Sequence, residues 1–178
     1  GIIAPIVAST NKQTAGIILL AGTGITGGEI LLQQQELIGK AGNTDSISLG
    51  NQIQMTRKII ELLKSKKSSE ELKSGMKTIF EKSNYAGKPE QISEGDYLEM
   101  VYDQFNNPWM KEFILYDPKT ALAKVTCPVL AMNGSKDLQV PSRINLSEIE
   151  KTLKASGNKQ VTTIELPGLN HLFQECNT

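Results

Sequence analysis

Three short stretches of this chain are apolar at consecutive positions instead of at every second one, and that pattern narrows the folds open to it. Residues 16–21 read Gly-Ile-Ile-Leu-Leu-Ala and stop at Gly22; residues 127–132 read Cys-Pro-Val-Leu-Ala-Met and stop at Asn133-Gly134. Residues 160–166 are rich in β-branched side chains and end at Pro167-Gly168. A strand with one wet face alternates polar and apolar residues, whereas a strand covered on both faces does not. The expectation is therefore three parallel strands buried between helices, an α/β class. Between the second and third lies a helical pattern from Pro141 to Lys154, with Ile144, Leu146, Ile149 and Leu153 approximating one stripe and Gly157 closing it. Strand, helix and strand within 40 residues form a crossover unit.

Residues 28–105 differ in character: they hold helical patterns and no convincing strand. Ile30 to Ile38 is the first; Ile53, Ile60 and Leu63 share one side of a second. Leu72, Met76 and Phe80, four apart, mark a third, and Tyr97 to Phe105 a fourth. Breaks fall at Gly39 to Asn43, Lys64 to Ser69 and Tyr85 to Ser93, and Lys64, Lys66 and Lys67 read as a solvated helix end. A crossover needs one helix, so this is an all-helical insertion. It is either a subdomain packed on itself or a cap over a site at the carboxyl ends of the strands, where open parallel sheets bind ligands. The boundaries predicted are 1–27 for the first core segment, 28–106 for the insertion and 107–178 for the second core segment.

Composition removes several function classes. Lys and Arg number 19 and Asp and Glu number 19, which leaves no electrostatic basis for general binding to nucleic acid or anionic membrane. No apolar run approaches the roughly 18 residues of a membrane span. The chain has two cysteines, Cys127 and Cys176, and one histidine. A structural zinc site and a disulfide-stapled mini-fold both need more ligands or closer spacing. Gly1-Ile2-Ile3-Ala4-Pro5 has neither the basic segment before it nor the cleavage site after it that a secretory signal requires. The expectation is a chain that begins within a longer protein and, after Asn170 to Thr178, stops in a loop.

Two residues carry the chemistry. Asp137 lies in the loop that leaves the second strand and enters the helix; His171 lies in the loop after the third strand. Neighbouring parallel strands run about 4.8 Å apart, so these loops can bring the two side chains together. A carboxylate on one imidazole nitrogen sets the tautomer and supports the imidazolium formed in general-base catalysis. Alone, Asp137 reads as a turn or helix N-terminal residue and His171 as a surface-loop residue. Their order and placement argue for the pair.

Residues 128–141, Pro-Val-Leu-Ala-Met-Asn-Gly-Ser-Lys-Asp-Leu-Gln-Val-Pro, resemble the acid-bearing strand end of an α/β-hydrolase, and residues 166–173, Leu-Pro-Gly-Leu-Asn-His-Leu-Phe, resemble the histidine loop of the same superfamily. More narrowly, the chain resembles bacterial capped serine hydrolases of the esterase and acyl-peptidase-like kind. Residues 1–5 look like those just after their nucleophile elbow, residues 17–24 like their sixth strand and its loop, and Tyr116-Asp117-Pro118 also fits. The resemblance spans Gly1 to Phe173. It implies a partial α/β-hydrolase fold: three parallel strands with flanking helices, the helix after the nucleophile and an all-helical cap insertion. It also implies a small-molecule ester or acyl substrate, no metal or organic cofactor, and catalytic roles for Asp137 and His171.

The chain departs from that pattern at one point. The nucleophile of such enzymes sits in Gly-x-Ser-x-Gly, which occurs nowhere in these 178 residues. Gln91-Ile92-Ser93-Glu94-Gly95 comes nearest but lacks the leading glycine. The serine is expected upstream of Gly1, so this chain by itself is expected to be inactive. A non-enzymatic alternative is a helical interaction module on a degenerate hydrolase scaffold. A third is a dinucleotide site, because Gly22, Gly24 and Gly27 stand at Gly-x-Gly-x-x-Gly spacing between a strand and a helix. That fingerprint also needs an acidic residue at a second strand end about 20 residues on; Asp45 has the spacing but follows no strand. Thr23 and Trp109 are further candidates to contact substrate, Trp109 as a wall of the acyl pocket or as simple packing. Cys127 reads as core within a strand. If the chain stands alone, the strand at 17–21 is an apolar edge and self-association through it is expected.

Overall fold

The computed structural model describes residues 1–178 except Lys66 and Thr178, so the reading of Lys66 as part of a solvated helix end lies outside the described residues. The protein is of the α/β class. In chain order, α1 (Ile3–Thr10) precedes β1 (Ile17–Leu20), and five helices follow: α2 (Gly27–Ala41), α3 (Ser46–Lys64), α4 (Ser69–Lys82), α5 (Glu94–Asn106) and α6 (Pro108–Leu115). Next come the short α7 (Lys119–Leu122), β2 (Val129–Gly134), α8 (Ser142–Ala155) and β3 (Val161–Leu166). The strands are parallel in the order β1-β2-β3, with Ile17 beside Val129 and Val129 beside Val161.

Two compact units form, residues 1–34 with 116–178, and residues 35–115. The inserted unit thus begins and ends later than the 28–106 read from the sequence. At its far end α6 packs on α5 and α3 and belongs to the helical unit.

In the sheet unit, Leu19, Val129 and Ala131 are buried with Ala8 of α1, Leu122 of α7, Val125, and Leu146, Ile149 and Leu153 of α8. The opposite face of the sheet is another matter. Ile18 is 61% and Leu20 52% exposed, and Ile164 is also exposed. The expectation that all three strands are covered on both faces is therefore corrected: β1 and β3 are packed on one face. The reason is that α1, α7 and α8 all pack into one cluster on the Leu19 side. Cys127, expected within a strand, lies before β2 and is half-buried; its carbonyl accepts a hydrogen bond from Asn158 Nδ2 at 2.9 Å.

The buried row of α8 is Ser142, Asn145, Leu146, Ile149 and Leu153. Ile144, expected in that row, is exposed. At 3.6 residues per turn it sits about 200° from Leu146, and Asn145 takes a core-facing place with both amide ends bonded. Its Oδ1 accepts from the Gly24 N–H at 2.8 Å and its Nδ2 donates to the Pro141 carbonyl at 2.9 Å. Ile149 is wholly buried beneath the sheet. Ile149→Ala is expected to destabilise the protein by about 2–5 kcal/mol, read from urea unfolding, because the lost side chain leaves a cavity.

The helical unit closes on its own core, which includes Ile59, Ile60, Leu72, Met76, Phe80 and Val101. Its helix starts are capped as the sequence chemistry dictates. Asp45 accepts from the Ile47 and Ser48 amides at α3, Ser68 and Glu71 form a reciprocal capping box at α4, and Ser93 accepts from the Asp96 amide at α5. The break read at Gly39 to Asn43 falls at residues 42–45, since α2 runs through Gly39 to Ala41. A Cβ on Gly39 would collide with the Leu49 side chain, so this glycine permits close helix packing instead of ending a helix.

Candidate active site

The parallel register brings the carboxyl ends of β1, β2 and β3 to one edge of the sheet, and the loops leaving β2 and β3 there carry Asp137 and His171. Asn133, at the end of β2 and wholly buried, donates from Nδ2 to the Val140 carbonyl at 2.7 Å and accepts the Gly134 N–H at 3.0 Å. That grip closes the loop around Asp137. One carboxylate oxygen, Oδ1, accepts the Gln139 and Val140 amides at 2.8 Å each. The other, Oδ2, lies 2.8 Å from His171 Nδ1. The Asp137 side chain has no exposure, while that of His171 is 30% exposed. In a neutral imidazole, a proton on Nδ1 directed at the carboxylate leaves the lone pair on Nε2.

The acid and histidine loops are stitched together. The Ser135 amide donates to the Leu166 carbonyl at 2.9 Å and the Lys136 amide to the Leu169 carbonyl at 3.0 Å. Gly168 N–H donates to Ser135 Oγ at 2.9 Å, and Lys136 Nζ to the Cys176 carbonyl at 3.0 Å. Gly134 makes the approach possible, because a Cβ there would strike the Leu169 carbonyl oxygen and stand 2.6 Å from that of Asn170.

Other candidates fall elsewhere. Thr23 is half-buried in the loop after β1 and has no hydrogen bond to the Asp137–His171 pair among the described residues. Trp109 belongs to the helical unit, where it is 68% exposed and stacked on Phe113 at 5.5 Å between ring centroids. The glycines at 22, 24 and 27 do stand between a strand and a helix. Yet the Gly24 N–H is taken by Asn145, and a Cβ on Gly24 would lie 2.5 Å from the Asn145 carbonyl oxygen. The backbone of α8 therefore occupies the approach that a pyrophosphate would need. Asp45 serves as the α3 cap; its amide bonds, chiefly from Ser48, hold its carboxyl below the ordinary value. Ser93 is likewise engaged, donating from Oγ to Asp96 Oδ2 at 2.6 Å.

Sequence reasoning missed the polar supports: buried Asn133 and Asn145, and the 2.5 Å bond from Ser142 Oγ to Glu165 Oε2 that joins the first turn of α8 to β3. The signal was present in Asn133-Gly134, where an amide side chain next to a glycine at a strand end can bind its own loop. No group of three or more metal-ligating side chains occurs among the described residues, and no helix of the described residues is long and apolar enough to cross a membrane. Comparison with protein-family models, curated proteins and solved structures returned no match.

Proposed function

We propose that this chain is the acid-and-histidine portion of a serine hydrolase that cleaves carboxylic esters or related acyl bonds. The observation that carries the reading is the 2.8 Å contact from buried Asp137 to partly exposed His171, on successive loops at the carboxyl edge of a parallel sheet. A buried, fully hydrogen-bonded acid orients an imidazole whose other nitrogen can take a proton. In this reading the nucleophilic serine lies a few residues before Gly1. Gly1 packs on Gly22, just past β1, with its Cβ position 2.5 Å from the Gly22 Cα, and α1 begins two residues later. A serine joined there would enter at the same edge of the sheet. His171 Nε2 takes the Ser Oγ proton as Oγ attacks the carbonyl carbon. It then returns that proton to the leaving group as the acyl-enzyme forms. Water then gives a proton to His171 Nε2 as its oxygen attacks the acyl carbon, and His171 passes that proton to the departing Ser Oγ, which releases the acid and restores the serine. The chemistry calls for neither metal nor organic cofactor.

The test is fluorophosphonate labelling of the protein translated from the whole reading frame that contains this chain, with tryptic mapping of the modified residue. The expected result is one labelled serine upstream of Gly1, with labelling lost in His171→Ala. A well-folded protein that takes up no label overturns the reading and brings the helical interaction module forward.

The 178-residue chain is proposed to self-associate through β1, an edge strand whose outward Ile18 and Leu20 are exposed and which carries no charged residue. Sedimentation velocity over rising concentration should show dimers or larger species that Ile18→Lys abolishes. A monomer throughout the series refutes it.

A further inference from the structure

The residue before His171 holds more of the loop than a turn residue needs to. Asn170 Oδ1 accepts the Leu172 amide at 2.9 Å and the Gln174 amide at 3.1 Å. Its own amide donates to the Gln174 carbonyl at 2.9 Å, and its carbonyl accepts the Phe173 amide at 3.1 Å. Four bonds from one residue thus enclose His171 in a five-residue loop. The loop contains a conformation that L side chains rarely adopt, φ +59° at Phe173. A side-chain acceptor here supplies partners for two amides that such a tight turn leaves without carbonyls.

We infer that Asn170 is a positioning residue, one that sets the backbone under His171 so that Nδ1 meets Asp137 Oδ2. The inference rests on the Asp137–His171 reading above. The two partners are held by the same device: Asp137 by its own Oδ1 on the Gln139 and Val140 amides, His171 by Oδ1 of its neighbour. What separates positioning from general support is where the loop is anchored. Its base is secured independently, by the Lys136 amide on the Leu169 carbonyl and the Cys176 amide on the Gly168 carbonyl. Removing the Asn170 side chain therefore frees the tip of the loop and leaves the base and the sheet in place.

His171 is the sole histidine, so its ring can be observed without ambiguity by proton and nitrogen-15 NMR of the chain itself. The expected signature in the unaltered chain is a low-field Nδ1–H resonance with the nitrogen pattern of a single tautomer. Asn170→Ala should lose that resonance and mix the tautomers while the amide spectrum of the sheet and the melting temperature stay close to those of the parent. Asn170→Asp, whose carboxylate can accept the same two amides, should restore it. In the nucleophile-bearing protein, Asn170→Ala should lower kcat by up to about 10²-fold with little change in KM, the scale of a misplaced catalytic group. An unchanged imidazole spectrum in Asn170→Ala overturns the inference and leaves the Asp137–His171 pair standing. So does an Asn170→Asp variant that behaves like alanine. A parallel Asp137→Asn variant separates the two failures: if it too leaves the imidazole unchanged, the pair itself does not form in solution and the proposed function falls with it.

Discussion

Under the hydrolase function proposed above, Asp137→Asn should lower acyl transfer by the nucleophile-bearing protein by about 10⁴-fold while the fold persists. The split between activity and stability follows from how the carboxylate is used. Oδ1 accepts two backbone amides that close the acid loop, and an asparagine oxygen can accept both. Only the second position changes character: an NH₂ group would replace the oxygen that faces His171 Nδ1. Two donors cannot share that contact, so the imidazole adopts the other tautomer and presents a proton to the serine in place of a lone pair. Steady-state hydrolysis of a p-nitrophenyl ester, read beside a thermal melt, checks both halves. A variant that loses activity because it unfolds, or one that keeps activity within tenfold, contradicts the prediction.

Gly134→Ala should be the most damaging of the single-methyl insertions. The new Cβ would meet the Leu169 carbonyl oxygen and lie 2.6 Å from that of Asn170. Neither obstacle is a flexible side-chain end; both are backbone of the loop that carries His171. Insertions of this kind cost about 1–3 kcal/mol even where side chains can give way, and a protein of this size loses roughly 2–4 °C of melting temperature per kcal/mol. The His171 loop must move off the end of β2, so the imidazole should lose Asp137 as well. Gly50→Ala is the contrasting control. Gly50 sits inside α3 with nothing within 4 Å of its Cβ position, and alanine there should stabilise by about 0.5–1 kcal/mol. Melting temperatures of the two variants moving in the same direction would refute the account.

Particular elements show what could be read from residues alone. The three strands were legible because consecutive apolar residues bounded by Gly, Pro and Asn leave few other interpretations. Coverage of their faces was not. Ile18 and Leu20 are as apolar as buried residues, and nothing in a strand's own composition says whether a layer lies over it. The helix α6 was not read from the sequence, which put Asn107-Pro108-Trp109 at the start of the second core segment. Its structure gives the sequence a second meaning, since Asn107 Oδ1 accepts the Trp109 amide at 2.9 Å and Pro108 takes the first helical position. The buried row of α8 holds Asn145 and not the Ile144 read into it, and an amide there is costly unless both ends are bonded. Those bonds, to Gly24 and Pro141, come from 121 and 4 residues away. Asp137 and His171 were legible from their order along the chain. Two of the hydrogen bonds that bind one loop to the other, from the Ser135 and Lys136 amides, run between backbone groups, which every residue has, and so leave no mark in the sequence.

The first turn of α8 grips both of its neighbours: Asn145 holds Gly24 on one side, and Ser142 holds Glu165 on the other. In terms of hydrogen exchange, this couples segments more than a hundred residues apart. The Gly24 amide can exchange with solvent only when the Asn145 contact opens, and Asn145 is itself fixed in the buried row of α8. The loop after β1 should therefore report the opening of the sheet core instead of its own local breathing, and its protection should fall together with that of the neighbouring strands.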